Sequence, residues 1–148
     1  MIIDSLKTLF ERDLKKVKTE IESYTNEKNI WLIGQGVANS AGNLCLHLIG
    51  NLNAYIGVGL ANTDYIRQRS LEFSLKDIPK VELLRQIENT IKVIEEGLNN
   101  LNENQLHSDF PLIIWDKPTE MEYTLLHLLT HLNYHLGQIN YHRRLFDK

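Results

Sequence analysis

Residues Thr119–Leu145 read TEMEYTLLHLLTHLNYHLGQINYHRRL. The stretch follows Pro118, contains no proline and one glycine, and opens with Thr119-x-x-Glu122, the spacing of a capping box. Leu125, Leu128, Leu129, Leu132, Leu136 and Ile139 recur at the period of one helix face. Beside them runs a row of histidines: His127, His131, His135 and His142. Residues four apart on a helix stand one turn above each other, with Cβ atoms about 5–6 Å apart, so a pair in this row can aim two imidazoles at one point. At about 100° per residue and with His131 at zero, His127 falls at about −40°, His135 at about +40° and Gln138 at about −20°. A polar strip this narrow, beside an apolar stripe, belongs at the edge of a core and is expected to carry chemistry.

Working outward, the chain divides into further helices. Ile3, Leu6, Phe10, Leu14, Val17, Ile21 and Tyr24 predict a first helix over Ile3–Tyr24, ended by Asn26 and Lys28 and followed by a loop with Trp31, Gly34 and Gly36. A second helix is expected from a cap at Asn39 or Ser40 to about Val58. It contains Gly42, Gly50 and Gly57. Each interior glycine costs roughly 1 kcal/mol against alanine, which predicts close approach of another helix, with Gly137 as the matching contact. Gly59–Ile78 shows no helical stripe. About twenty extended residues cover the roughly 30 Å height of a bundle, so this segment reads as a crossover between two parallel helices. Behind Pro79, the third helix is expected over Lys80–Asn104, with Val81, Leu84, Ile87, Ile91, Ile94, Leu98 and Leu101 inward. Gln105–Pro118 returns to the last helix, with Pro111–Trp115 extended over one end. The expected fold is all-α: one domain, residues 1–148, a four-helix bundle with a long crossover between helices 2 and 3.

Composition narrows the function. A net charge of −3 gives no general attraction for nucleic acid, and Lys15, Lys16 and Lys18 fall on one solvated helix face. Cys45 is the one cysteine, so no internal disulfide forms. With an N-terminus lacking the pattern of a secretion signal, the expected compartment is the cytoplasm. The longest stretch without charge, Asn29–Thr63, is too rich in Asn, Gly, Ser and Gln for a membrane span.

His47 is the one histidine of the second helix, among Asn43, Leu44, Asn51 and Ala54. Added to a His-x-x-x-His pair it completes three neutral imidazoles from two facing helices, the ligand set of an open metal site. A water on such an ion has a lowered pKa and serves as nucleophile or base near neutral pH. Rival sites fail on spacing: Glu-x-x-His, His-Glu-x-x-His, Cys-x-x-Cys and a glycine-rich phosphate loop are all absent. Two histidines on one helix cannot sandwich a haem. Cys45 lies about 200° around the helix from His47 and reads as a small buried hydrophobe. Spacing alone leaves His127/His131 and His131/His135 equally eligible. His142 is about 10.5 Å along the axis from His135, too far to share an ion and near a mobile end. His107 reads as a solvated loop residue.

The stretch HLLTHLNYHLGQINYHRRL resembles the last-helix signature of DinB-like (YfiT-like) proteins, with its His-x-x-x-His-x-Gly-Gln-Ile, and SAGNLCLHLIGNLNAYIG resembles their second helix. The resemblance covers the whole chain in length and helix order. It implies an up-down-down-up bundle, a zinc or nickel ion on His47, His131 and His135 rather than His127, and a homodimer. It further implies, among characterised relatives, thiol-dependent S-transferases and isomerases that use bacillithiol, mycothiol or glutathione. Asn51 and Gln138 would then stand behind the ligands or line the pocket, with Tyr134 and Trp31 as candidates for its wall. The expected function is a metal-dependent enzyme that activates a low-molecular-weight thiol or water against a small electrophile. No Asp or Glu falls on the histidine strip, so the nucleophile on the metal does the work, or an unidentified loop residue assists. The alternative is a non-catalytic, metal-binding, stress-related dimer. A bundle with metal-free core histidines is the third reading.

Overall fold

Ile3, Leu6, Phe10, Leu14, Val17 and Ile21 are all buried along one side of α1 (Ile2–Glu22) in a computed structural model that describes residues 1–148. Ser40 caps α2 (Ala41–Leu52), its Oγ accepting from the Asn43 amide at 3.1 Å. The helix then widens through a π turn, Asn53–Gly57, into a last turn, Val58–Leu60. α3 (Arg69–Ser74) is short, and α4 (Lys80–Asn99) and α5 (Met121–Phe146) are long. There is no strand, only two isolated bridges, and the fold is all-α. α1 packs on α4 and α5, and α2 packs on α3, α4 and α5. One continuous apolar core runs between them. Every residue of α2 is buried, so His47 enters that core at mid-helix. No helix is long and apolar enough to cross a membrane.

Several expectations are corrected. The capping box at Thr119 and Glu122 does not form. α5 starts at Met121, and the amides of Met121 and Glu122 donate to the carbonyls of Ser108 (2.8 Å) and Leu106 (3.0 Å), so the preceding connection does the capping. Thr119 bonds the Thr124 hydroxyl instead, at 2.7 Å. α4 stops at Asn99, not Asn104; Leu83, Ile87, Thr90, Ile94, Gly97 and Leu98 are its buried residues, and Leu84, Ile91 and, beyond its end, Leu101 pack half-buried against the core. Val81 is 75% exposed. At Gly97 a Cβ would stand 2.8 Å from the Ile56 side chain, so the π turn after α2 comes close to α4 there.

The three glycines mark close approach, two of them by other helices: Gly57 meets Val93 of α4 and Gly50 meets Glu72 of α3, whereas Gly42 meets Trp31 of the segment before α2. A Cβ on Gly42 would strike the Trp31 ring, and one on Gly50 would collide with the Glu72 carboxylate. Gly137 has nothing within 4 Å. The crossover carries α3, which packs on α2. The end of α5 is pinned rather than mobile. The Asp147 carboxylate accepts from the amides of Thr25 (2.7 Å) and Asn26 (3.2 Å) and from Asn29 Nδ2 (2.9 Å).

Candidate metal centre

α2 and α5 bring three histidines nose to nose. His47 Nε2 lies 3.2 Å from His131 Nε2, which lies 3.1 Å from His135 Nε2. All three atoms are within 4.8 Å of one another. The far nitrogens fix the protons. His47 Nδ1 donates to Glu72 Oε1 at 3.0 Å, and His135 Nδ1 donates to Gln138 Oε1 at 2.7 Å. Both rings therefore present bare Nε2 lone pairs inward. An N–H on His131 Nε2 can satisfy only one of them.

A divalent cation satisfies all three. Two nitrogens at about 2.1 Å from a tetrahedral ion stand about 3.4 Å apart, close to the separations found. Burial holds His47 below its ordinary pKa, with Glu72 pulling the other way. Burial and the neighbouring imidazoles push His131 down to about 4. Neutral imidazole is the form that binds metal. This partly buried group could hold a metal ion.

Sequence reading missed the support behind His47. Glu72 on α3 is buried and clamped by Arg67, whose Nε donates to Oε2 and Nη2 to Oε1, each at 2.9 Å. Asn43 Nδ2 anchors α3 by donating to the carbonyls of Glu72 (3.0 Å) and Leu75 (2.8 Å). Glu72 has no periodic relation to the histidines. Its one trace in the sequence is Gly50, one turn beyond Leu46, which leaves room for the carboxylate. Paired with both Arg67 and His47, Glu72 orients the His47 ring and is not free to act as a base.

The remaining candidates are scattered. Gln138 touches His135. Asn51 is buried one turn past His47, and its Oδ1 has no partner, nor does His131 Nδ1. Tyr134 is 65% exposed with its ring 5.4 Å from that of His135. Trp31 is not at the cluster: it covers Gly42 and borders a separate hollow with Asp77 and Pro79. His127 is exposed, a turn from His131, against the Trp115 ring at 4.8 Å. His107 is exposed and bonds Glu120. His142 is buried between Tyr24 and the Leu32 carbonyl. Cys45 is fully buried, its thiol pushed up to about 12 by desolvation, so it is inert here. A cleft of about 430 Å³ opens beside His135 and Gln138, between α5, the start of α2 and the loop before it.

Among curated proteins none matches the chain. Residues 2–148 match the family described as Protein of unknown function (DUF1572). With that match spanning both the histidine helices and the crossover that supports them, the chain belongs to the DUF1572 family.

Proposed function

We propose that this chain is a divalent-metal-dependent enzyme of DinB-like type, an up-down-down-up four-helix bundle that holds zinc or nickel on His47, His131 and His135. The observation that carries the reading is the convergence of three Nε2 atoms, at 3.2 and 3.1 Å, whose lone pairs no protein donor can satisfy together. The link between α2 and α4, free of helix over residues 62–68 before α3, is what supports the parallel placement of those two helices. When bound, the ion supplies Lewis acidity and lowers the pKa of a water or thiol beside it.

The chain's own residues prepare that chemistry. Glu72 and Gln138 hold two rings in the right tautomer, and the buried setting keeps His131 neutral. Arg67 keeps the Glu72 carboxylate turned toward His47. No fourth cysteine, histidine or carboxylate joins the three, whereas a purely structural zinc site is closed by four protein ligands. That, with the cleft at His135, favours an enzyme acting on a small electrophile over a metal-binding scaffold. A low-molecular-weight thiol as cosubstrate and a homodimeric state belong to the same reading.

The test is metal content by mass spectrometry on untagged protein, beside His131→Ala. About one divalent ion per chain, lost in the variant, is the expected outcome. No metal in either protein, with added zinc or nickel failing to raise the Tm, overturns the reading.

A further inference from the structure

The cleft beside His135 has a chemical character of its own. Leu44, Val37, Ala38 and Leu145 supply its apolar walls, and no Asp, Glu, Lys or Arg lines it. Two of its polar side chains, Gln138 and His142, are engaged within the protein, while Asn39 and the exposed Tyr141 keep their polar groups for its open side. Gln138 Oε1 is engaged by His135. His142 receives the Tyr24 hydroxyl at 2.6 Å on Nδ1 and donates from Nε2 to the Leu32 carbonyl at 2.8 Å. Neither nitrogen of His142 is left for a ligand, and burial keeps the ring uncharged by holding its pKa below the ordinary value. The loop wall is folded on itself as a tight turn, with the Val37 amide donating to the Gly34 carbonyl at 2.8 Å and Gln35 and Gly36 at φ 52° and 81°. At about 430 Å³ the space is within the range of small-molecule sites.

A charged group placed in such a cleft meets no oppositely charged side chain in its lining and gives up part of its water. An aliphatic group gains burial against four apolar side chains. The His135 ring is shared by the cleft and the histidine cluster, so one molecule can reach both. We propose that the cleft formed by the 36–39 loop, Leu44 and the last three turns of α5 is the subsite for the body of the substrate, and that it selects an uncharged, largely aliphatic group attached to the reacting centre. The proposal rests on the metal reading above and adds the substrate class to it.

Cobalt(II)-loaded protein provides a readout independent of turnover, because its visible bands shift when a hydroxamate binds the metal. Acetohydroxamate, hexanohydroxamate and the same six-carbon chain ended by a carboxylate are the probes. The expected result is about tenfold or greater tightening from acetohydroxamate to hexanohydroxamate, as burial of the added methylenes requires. The carboxylate-ended chain gains less than about threefold over acetohydroxamate, because its charge would be desolvated. Ala38→Trp and Leu145→Trp, both at exposed positions of the wall, fill the cleft without disturbing the core. Each is expected to cut the chain-length gain below about threefold while leaving acetohydroxamate binding unchanged. Equal affinity for the short and long chains, a gain that survives both tryptophans, or equal binding of the carboxylate-ended chain overturns the subsite and leaves the metal reading intact. Failure of wild-type protein to take up cobalt at all overturns both.

Discussion

His47 and His135 face the same point but are held from behind by different chemistry. His47 leans on a buried carboxylate, Glu72, that arrives from 25 residues along the chain and is itself gripped by Arg67. His135 leans on a neutral amide, Gln138, three residues along its own helix and on the solvent side. A carboxylate behind an imidazole fixes its tautomer and also raises its basicity; an amide fixes the tautomer and adds little charge. As a ligand, His47 would therefore be the one backed for affinity. His135 forms the wall of a cleft, where a charged partner would oppose entry of an uncharged body.

If that contrast holds, the two supports differ in what they are worth. Glu72→Gln is expected to weaken zinc binding about ten- to a hundredfold in a competition titration against a chromophoric chelator. The substitution also strands the Arg67 guanidinium, which is only 16% exposed, so it should be paired with Arg67→Gln to read the carboxylate alone. Gln138→Leu is expected to cost less than about tenfold, because water can replace the amide at a ring with an open side. Equal losses at the two positions would mean that orientation, not charge, is what both partners supply.

Gly50 sharpens the same point from α2. Alanine is the better helix former by about 1 kcal/mol, yet its Cβ would occupy the place of the Glu72 carboxylate. Gly50→Ala is expected to lower zinc affinity by about tenfold through the displaced carboxylate, with the histidines themselves untouched. Unchanged affinity would show that Glu72 and its Arg67 clamp can shift together and still serve His47.

The same contrast explains what could be read without coordinates. Helical spacing put His127, His131, His135 and Gln138 on one strip but left two histidine pairs eligible; the resemblance, not the period, singled out His131 and His135 and gave Gln138 its place behind them. The long helices were legible as period, because each buries one stripe: α1 matches its reading to within two residues at either end. The fold class followed from those stripes. Glu72 and Arg67 sit in a segment without a stripe, and their place depends on how α3 docks onto Asn43 and Gly50. The Thr119 cap failed for a related reason. Local spacing allowed it, but the carbonyls of Leu106 and Ser108 reached the α5 amides first, and that contact is visible only in the fold. Trp31 shows the limit for aromatics: an aromatic near a glycine-rich loop reads equally as a pocket wall or as packing, and here Gly42 decides for packing.

The other buried histidine supplies the control for both supports. His142 is as enclosed as His47, but its partners are a phenol and a backbone carbonyl, with no carboxylate and no facing imidazole. Burial lowers its pKa, and the Leu32 carbonyl opposes that only in part. The folded chain thus favours neutral His142, while the unfolded chain takes up a proton near the ordinary value of 6.5. Its contribution to stability is complete above that value and is lost as pH falls from there toward the lower folded pKa. His47 and His131, also lowered, add the same kind of slope, so wild-type behaviour alone cannot isolate it. Urea unfolding of zinc-free protein at pH 7.5 and 5.5 should show a smaller acid loss in His142→Gln than in wild type, and the difference is the part that belongs to His142. Tyr24→Phe leaves Nδ1 without its donor and should cost about 1–3 kcal/mol at pH 7.5. Zinc affinity in both variants is expected to stay within about twofold of wild type, since neither residue touches the cluster or its supports. A larger change would tie the end of α5 to the metal centre through the cleft and make Gln138 the lesser of two outer supports.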